Sequence, residues 1–167
     1  MYKNKEGLLV LSGGNNSILK YSNGNSITSQ SASFVADFKK EFIDNFYIEI
    51  QRIEGNDYRI DEEVILNLAY DNNIPVVATN DVYFEGPDHF EAHDALMCIE
   101  KKLFVSQKDR KRLSKNHYFK SQNEMQELFS DIPEALFNTI EIAQRCSHRP
   151  KIKMPVLPSY HNDDSQE

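Results

Sequence analysis

Two short apolar runs with a helical one between them constrain this chain more than anything else in it. Phe46–Gln51 (FYIEIQ) alternates aromatic or β-branched residues with polar ones, the pattern of a strand. Val76, Val77 and Ala78, bounded by Pro75 and Asn80, read as a second and buried strand. Between them Ile60, Val64, Ile65, Leu68 and Ala69 recur at helical spacing and stop near Asn72-Asn73. A strand–helix–strand order of this length implies parallel neighbouring strands and a right-handed crossover.

The rhythm continues on both sides. Residues 7–11 form an apolar run that reads as a strand, and Ser12-Gly13-Gly14-Asn15-Asn16 turns the chain. Residues 17–33 are polar and read as a loop with room for a short helix. Phe34, Val35, Phe38 and Phe42 then predict an amphipathic helix over about 32–44, broken by Asn45. Glu54-Gly55-Asn56 marks another turn. After the second strand, Asp88 and Glu91 are spaced as an N-cap and its capping-box partner. The apolar face of that helix would carry Phe90, Ala95, Leu96 and Ile99. Residues 101–116 are charged and suggest a short helix. Ser121 with Glu124, and Asp131 with Glu134, predict two further capping boxes, the second with Pro133 in its first turn. Ala135, Leu136, Ile140 and Ala143 make the last helix amphipathic. The expected class is α/β, a barrel or a doubly wound sheet, followed by a helical segment.

Composition bounds the function. The chain of 167 residues suggests one domain, with ordinary apolar (40%) and charged (27%) content. No apolar run approaches the roughly 20 residues that a membrane span needs. The start, MYKNKEG, lacks the apolar region of a secretory signal. Cys98 and Cys146 each fall on an apolar helical face and read as buried free thiols, which makes the cytoplasm the expected compartment. A net charge of −7 argues against a free-standing nucleic-acid binder, because phosphate neutralisation drives that affinity. The basic clusters at 101–102, 108–112 and 145–153 read as solvated faces.

Candidate chemistry is sparse. Asp81 stands at the C-terminal end of a buried strand, where α/β folds gather ligands; it suits a hard-metal ligand, a general base or a cap on the following loop. Glu49 shares a strand face with Tyr47 and Gln51, directed to a barrel mouth or to solvent. His93 reads as a helix-face histidine bonding a loop or carbonyl, ahead of a ligand role; His89, one turn earlier, gives a permissive metal spacing without a third ligand. His117, His148 and His161 read as exposed. The chain holds no Gly-x-Ser-x-Gly, Walker or Cys-x-x-Cys motif.

Five stretches carry a resemblance: GLLVLSGG at 7–14, FYIEIQR at 46–52, TNDVYF at 79–84, HDALMCI at 93–99 and ELFSDIPEALFNTIEIAQRC at 127–146. Together, and in this order, they resemble the PHP (polymerase and histidinol phosphatase) domain of the bacterial DNA polymerase III alpha subunit. The resemblance implies a partial PHP-type (β/α)7 barrel followed by a helical C-terminal segment, with residues 1–150 as the C-terminal part of the domain. Residues 151–167 read as an extended linker and solvated tail. It implies a part in DNA replication, in a DNA-directed DNA polymerase whose nucleotidyltransferase carboxylates lie outside this chain, so that no catalytic residue is expected here.

Metal-binding members of that family carry Asp-x-His where this chain has Asp81 and Tyr83. They often carry a cysteine where Gly14 stands, and a histidine near Ile53. The family's His-x-His motif is missing. Asp81, Tyr83, Gly14 and Ile53 are therefore implied to be vestigial metal-site positions, with His93 and Glu49 as accessory groups. The resemblance implies no cofactor held by this chain, unless another chain completes a zinc or manganese site. Implied partners are the remainder of the alpha subunit and its proofreading exonuclease, with DNA reached only through the whole polymerase and no membrane. Two alternatives stand beside this reading: a metal-dependent PHP phosphoesterase or 3′–5′ exonuclease, and a decayed or split gene product without an independent role.

Overall fold

A computed structural model describes residues 2–14, 17, 19, 21–22, 26–53 and 62–156. Its centre is a three-stranded parallel sheet in the order β1–β4–β5. β1 is Val10–Leu11, β4 is Phe46–Gln51 and β5 is Val76–Thr79. Ile48 stands opposite Val76 and Ile50 opposite Ala78. The strand–helix–strand reading holds: α2, Glu62–Asp71, connects two parallel neighbours. The expected first strand is shorter than its apolar run, with Leu8 and Leu11 exposed at the sheet edge. Its ladder is prolonged by a side chain, because Ser12 Oγ accepts from the Glu49 N–H at 2.9 Å.

β4 is buried on both faces, which the alternating sequence does not show. Phe46, Ile48 and Ile50 join Val76 and Ala78 in the main core. Tyr47, on the opposite face, is also buried; its hydroxyl donates to Glu141 at 3.2 Å and accepts from Arg145 at 2.7 Å. Burial pushes the Tyr47 phenol up.

α1, Ser29–Phe42, is capped by Thr28, whose hydroxyl accepts from the Ser31 N–H at 3.1 Å. Val35, Phe38 and Phe42 form its buried stripe, while Phe34 lies off it and is exposed. Phe38 stacks on Phe42 and Phe46 with centroids 5.7 and 5.6 Å apart. Ahead of α1, where a loop is expected, β2 (Tyr21–Ser22) and β3 (Ser26–Ile27) pair as an antiparallel hairpin. The expected turn at 54–56, Ile60, His161 and the tail beyond 156 lie outside the described residues. Residues 146–156 form neither helix nor strand and are exposed.

The C-terminal helices are α3 (Phe90–Lys101), α4 (Gln122–Leu128) and α5 (Pro133–Arg145). α5 covers the outer edge of β5, where Asn138 Nδ2 donates to the Val76 carbonyl at 2.7 Å. Ser121 and Glu124 form the expected capping box of α4. The other two expected boxes do not form. Asp88 lies in a 3-10 turn, Pro87–His89, and α3 starts after it without a side-chain cap. Asp131 is drawn away by Arg52, and the N-cap of α5 is Ile132, which offers no side-chain cap. α3 also presents another face than expected. Phe90, Asp94 and Cys98 are buried, whereas Leu96 and Ile99 are 62% and 74% exposed. Among the described residues no helix lies between α3 and α4. Cys98 is buried as expected, but Cys146 is exposed past the end of α5. No described helix is long and apolar enough to cross a membrane.

Candidate functional site

The C-terminal ends of β4 and β5 bring most of the singled-out residues to one region. Gln51 and Thr79 are register partners on adjacent strands. The Gln51 amide donates to Thr79 Oγ1 at 3.0 Å and to Glu49 Oε1 at 3.1 Å, and the Thr79 hydroxyl donates to the same Glu49 oxygen. Glu49 is thus held by two neutral donors. Gly14 lies against this cluster: a Cβ there would overlap the Gln51 side chain. Any larger side chain at Gly14 therefore displaces the amide that holds Glu49. Ile53 is half-buried just beyond the end of β4.

Beyond β5 the chain forms a second group. Asp81 is half-buried, and its charge is felt by His117. Tyr83 is half-exposed, and its ring stands edge-on to His93 at 5.6 Å and to His117 at 5.7 Å. His93 also contacts Phe84, with centroids 5.5 Å apart. A bond to a loop or carbonyl is expected for His93; the contacts found are the rings of Tyr83 and Phe84. His89, the other half of the permissive pair, is exposed.

His117 corrects the sequence reading, being 1% exposed where exposure is expected. Its Nδ1 is held by Ser114, 3.2 Å from that residue's N–H, 3.0 Å from its hydroxyl and 3.2 Å from its carbonyl, and the tautomer decides which of these it bonds. Nε2 is buried without a hydrogen-bond partner among the described residues. Burial pushes the His117 pKa down; the backbone of Ser114 and the Asp81 charge act the other way. Lys120 completes the group. Its Nζ donates to the Asn116 carbonyl at 2.5 Å and to Asn80 Oδ1 at 3.4 Å, and burial pushes its pKa down. Asn80 in turn donates to the Tyr118 carbonyl at 2.6 Å.

Among the described residues no three His, Cys, Asp or Glu side chains converge as ligands. Of the implied positions, Asp81 alone offers a strong metal donor; Glu49 is held by Gln51 and Thr79, and the Gly14 position is filled by an amide.

Sequence reasoning missed two ionic clamps. Arg52 donates to Glu62 and Asp131 and to the Leu128 carbonyl, with its guanidinium 4.9 Å from the Phe129 ring. It ties the end of β4 to α2 and to the α4–α5 connection; the carboxylates of Asp131 and Glu62 push its pKa up. Arg110 pairs in bidentate fashion with Asp94 at 2.5 Å, both almost fully buried. One local signal exists for the second clamp: Asp94 sits between Phe90 and Cys98 on a four-residue spacing, so a carboxylate on that stripe needs a buried cation.

The sequence itself recurs in known proteins. The chain is 40% identical over 164 residues to the DNA polymerase III subunit alpha of Caulobacter vibrioides (strain NA1000 / CB15N). This chain is similar to a segment of the DNA polymerase III alpha subunit. That match covers 98% of the chain and 14% of the Caulobacter subunit. The alpha subunit of Pasteurella multocida (strain Pm70) is 37% identical over 165 residues, 97% of this chain and 14% of its own length. That of Rickettsia bellii (strain RML369-C) is 38% identical over 138 residues, 83% of this chain and 12% of its own. The chain thus spans about a seventh of the curated alpha subunits it matches. No family model matches it.

Proposed function

We propose that this chain serves as a scaffold segment of a DNA polymerase III alpha subunit in DNA replication. The observation that carries the reading is an alignment over 98% of the chain at 40% identity. In this reading residues 1–150 are the C-terminal part of a PHP-type domain, and the parallel sheet is part of a (β/α)7 barrel. The exposed Leu8 and Leu11 at the β1 edge support it, since a barrel would place a further strand there. Residues 151–167 then link this domain to the rest of the subunit, and the proofreading exonuclease binds the assembled whole in the cytoplasm.

Template-directed synthesis belongs to the whole subunit, and no catalytic residue is assigned here. Asp81, Tyr83, Gly14 and Ile53 mark the positions of a lost metal site, flanked by His93 and Glu49. The segment holds no metal by itself; zinc or manganese would need ligands from another chain. The overlap between a side chain at Gly14 and the Gln51 amide supports this.

The test is a chimera in which this chain replaces the aligned segment of the Caulobacter alpha subunit. The expected chimera is soluble, extends a primer at a rate close to the parent's, and carries no stoichiometric metal by plasma mass spectrometry. A folded chimera that fails to extend primers would refute the scaffold role. Stoichiometric zinc or manganese, lost on Asp81→Ala, would establish a metal centre and turn the question to phosphoester hydrolysis.

A further inference from the structure

α5 carries more apolar surface than the sheet uses. Ala135 and Leu136 pack in and against the main core, while Phe137 and Ile140 are exposed. With Met125 of α4 and Leu136, these two line an open groove of about 640 Å³, edged by the amides of Gln122 and Gln126. Met125 and Leu136 also pack against the core, so the fold fixes the groove floor. A floor of this kind favours apolar side chains.

A segment with the matching pattern lies in the same chain. After α5, Ile152, Met154 and Val156 alternate with Lys151, Lys153 and Pro155. In extended backbone, alternate side chains share a face, which would set the three apolar groups about 7 Å apart along one side. All three are exposed. Three large apolar groups within five residues of exposed chain are the mark of a contact surface.

Charge pairs this segment with this groove. From Ser121 to Gln144 the chain carries Glu124, Glu127, Asp131, Glu134 and Glu141 and no basic residue. From Arg145 to Val156 it carries Arg145, Arg149, Lys151 and Lys153 and no acid. Asp131 and Glu141 already meet Arg52 and Arg145. Glu127 and Glu134 form no ion pair among the described residues. Opposite fields of this kind steer an encounter and set its orientation.

Within one chain the two do not meet, because the segment is exposed and the groove open. Folding back onto its own groove would require a reversal directly after α5, and no glycine follows Arg145 to make one. Arg149 and Met154 each stand before a proline, which disfavours the helical backbone that tight turns use. Reaching a neighbouring molecule needs no reversal. Two copies related by a two-fold axis fill both grooves with both segments at once, since such an interface is self-complementary.

We propose that two copies of this chain exchange residues 150–156, each laying Ile152, Met154 and Val156 into the other copy's α4–α5 groove. The proposal concerns the 167-residue chain by itself and does not rest on the polymerase reading.

Sedimentation velocity of the full chain, from micromolar to millimolar concentration, reads the association. A monomer–dimer equilibrium is expected, weakened by added salt because the charges are exposed. Ile152→Ser/Met154→Ser and Phe137→Ser/Ile140→Ser should each raise the dimer dissociation constant about tenfold. Both pairs are exposed in the single chain, so neither substitution opens the core, and circular dichroism checks the fold. Leu96→Ser/Ile99→Ser, an exposed pair on α3, is the control and leaves association unchanged. Carbodiimide coupling of lysines to carboxylates, in a mixture of isotopically labelled and unlabelled chains, then locates the contact. Cross-links from Lys151 or Lys153 to Glu127 or Glu134 are expected, half of them joining a labelled to an unlabelled peptide. This measurement needs no substitution, so it decides even if a variant unfolds. Monomers at every concentration overturn the proposal. A dimer that survives both double substitutions, or that weakens equally in the control, overturns it as well. The same cross-links found only between peptides of one isotope would place the segment in its own groove and overturn the exchange.

Discussion

Two buried clusters in this molecule are built from different materials. The main one, under β4 and β5, holds Phe38, Phe42, Phe46, Ile48, Val76, Ile65 and Phe129, with no titratable side chain among its members. The other, around α3, buries Phe84, Phe90 and Cys98 together with Asp94 and His117, and none of these belongs to the main core. Apolar burial is non-directional and tolerates small shifts. A buried ion pair and a buried imidazole demand defined partners, and lose much when one is removed. The α3 unit should therefore fail locally and sharply, and the sheet core globally.

Core truncation should give the largest effect. Ile48 is fully buried in the central strand, so Ile48→Ala leaves a cavity beside Val76 and costs about 3 kcal/mol in urea unfolding. Tyrosine fluorescence and far-ultraviolet circular dichroism should shift together, because the whole sheet unfolds as one. A shift confined to one probe would break the claim that this core governs global stability.

Asp94→Asn comes next and should act elsewhere. It leaves Arg110 buried with a neutral partner and weakens the hold of Arg112, which also reaches Asp94 at 3.1 Å. Hydrogen exchange should quicken through 102–118, while β4 and β5 amides keep their protection. Equal loss of protection in both places would mean that the two clusters form one cooperative unit. The neighbouring Arg52 clamp offers a contrast, since Asp131 is mostly exposed and Asp131→Asn leaves Glu62 in place.

The contrast also explains what the sequence made legible. β4, α2 and β5 follow from apolar periodicity, because the main core is apolar and each of its elements advertises a face. The reading of Phe34 fails on α1 because a wide apolar stripe has an edge that solvent can claim. In the α3 unit the same reasoning inverts the helix. Leu96 and Ile99 look like core and Asp94 like surface; the four-residue spacing of Phe90, Asp94 and Cys98 signals a buried cation, but nothing local says that Arg110, sixteen residues on, supplies it. His117 fails for the same reason: its burial is set by Tyr83 and Ser114, not by a periodic face. The strand-end position of Asp81 was readable from the βα unit. The network of Glu49, Gln51 and Thr79 needed the strand register, which no single strand encodes.

Acid should distinguish the clusters by a smaller margin. An unfolded histidine titrates near pH 6.5, whereas burial holds His117 neutral to lower pH. The groups around it are Asp81, which favours the proton, and Lys120 and His93, which oppose it, with the Tyr83 ring uncharged. Below about pH 6.5 the unfolded chain takes a proton that the folded ring declines, so stability falls as pH falls. The slope is at most about 1.4 kcal/mol per pH unit and ends at the folded pKa. Above about pH 6.5 this group contributes no slope. Asp94 and Asp131, whose arginine partners push them down, lose their contribution as pH falls from the ordinary carboxylate range down through their lowered pKa values, below the window of His117. His117→Gln should flatten urea-unfolding stability between about pH 6.5 and pH 5. An unchanged slope would place the acid sensitivity outside the α3 unit.

The smallest change expected is a gain. Lys102 ends α3 at φ 54°, ψ 41°, a left-handed conformation in which a side chain is strained and glycine is at ease. Lys102→Gly should stabilise by about 1 kcal/mol, partly offset by the freedom glycine gains in the unfolded chain. The relief acts on the connection between α3 and the turn that follows it, so exchange should slow at 98–105 and remain unchanged in β4. Equal slowing in β4 would mean that the strain at Lys102 is felt by the whole molecule and not by the α3 unit alone.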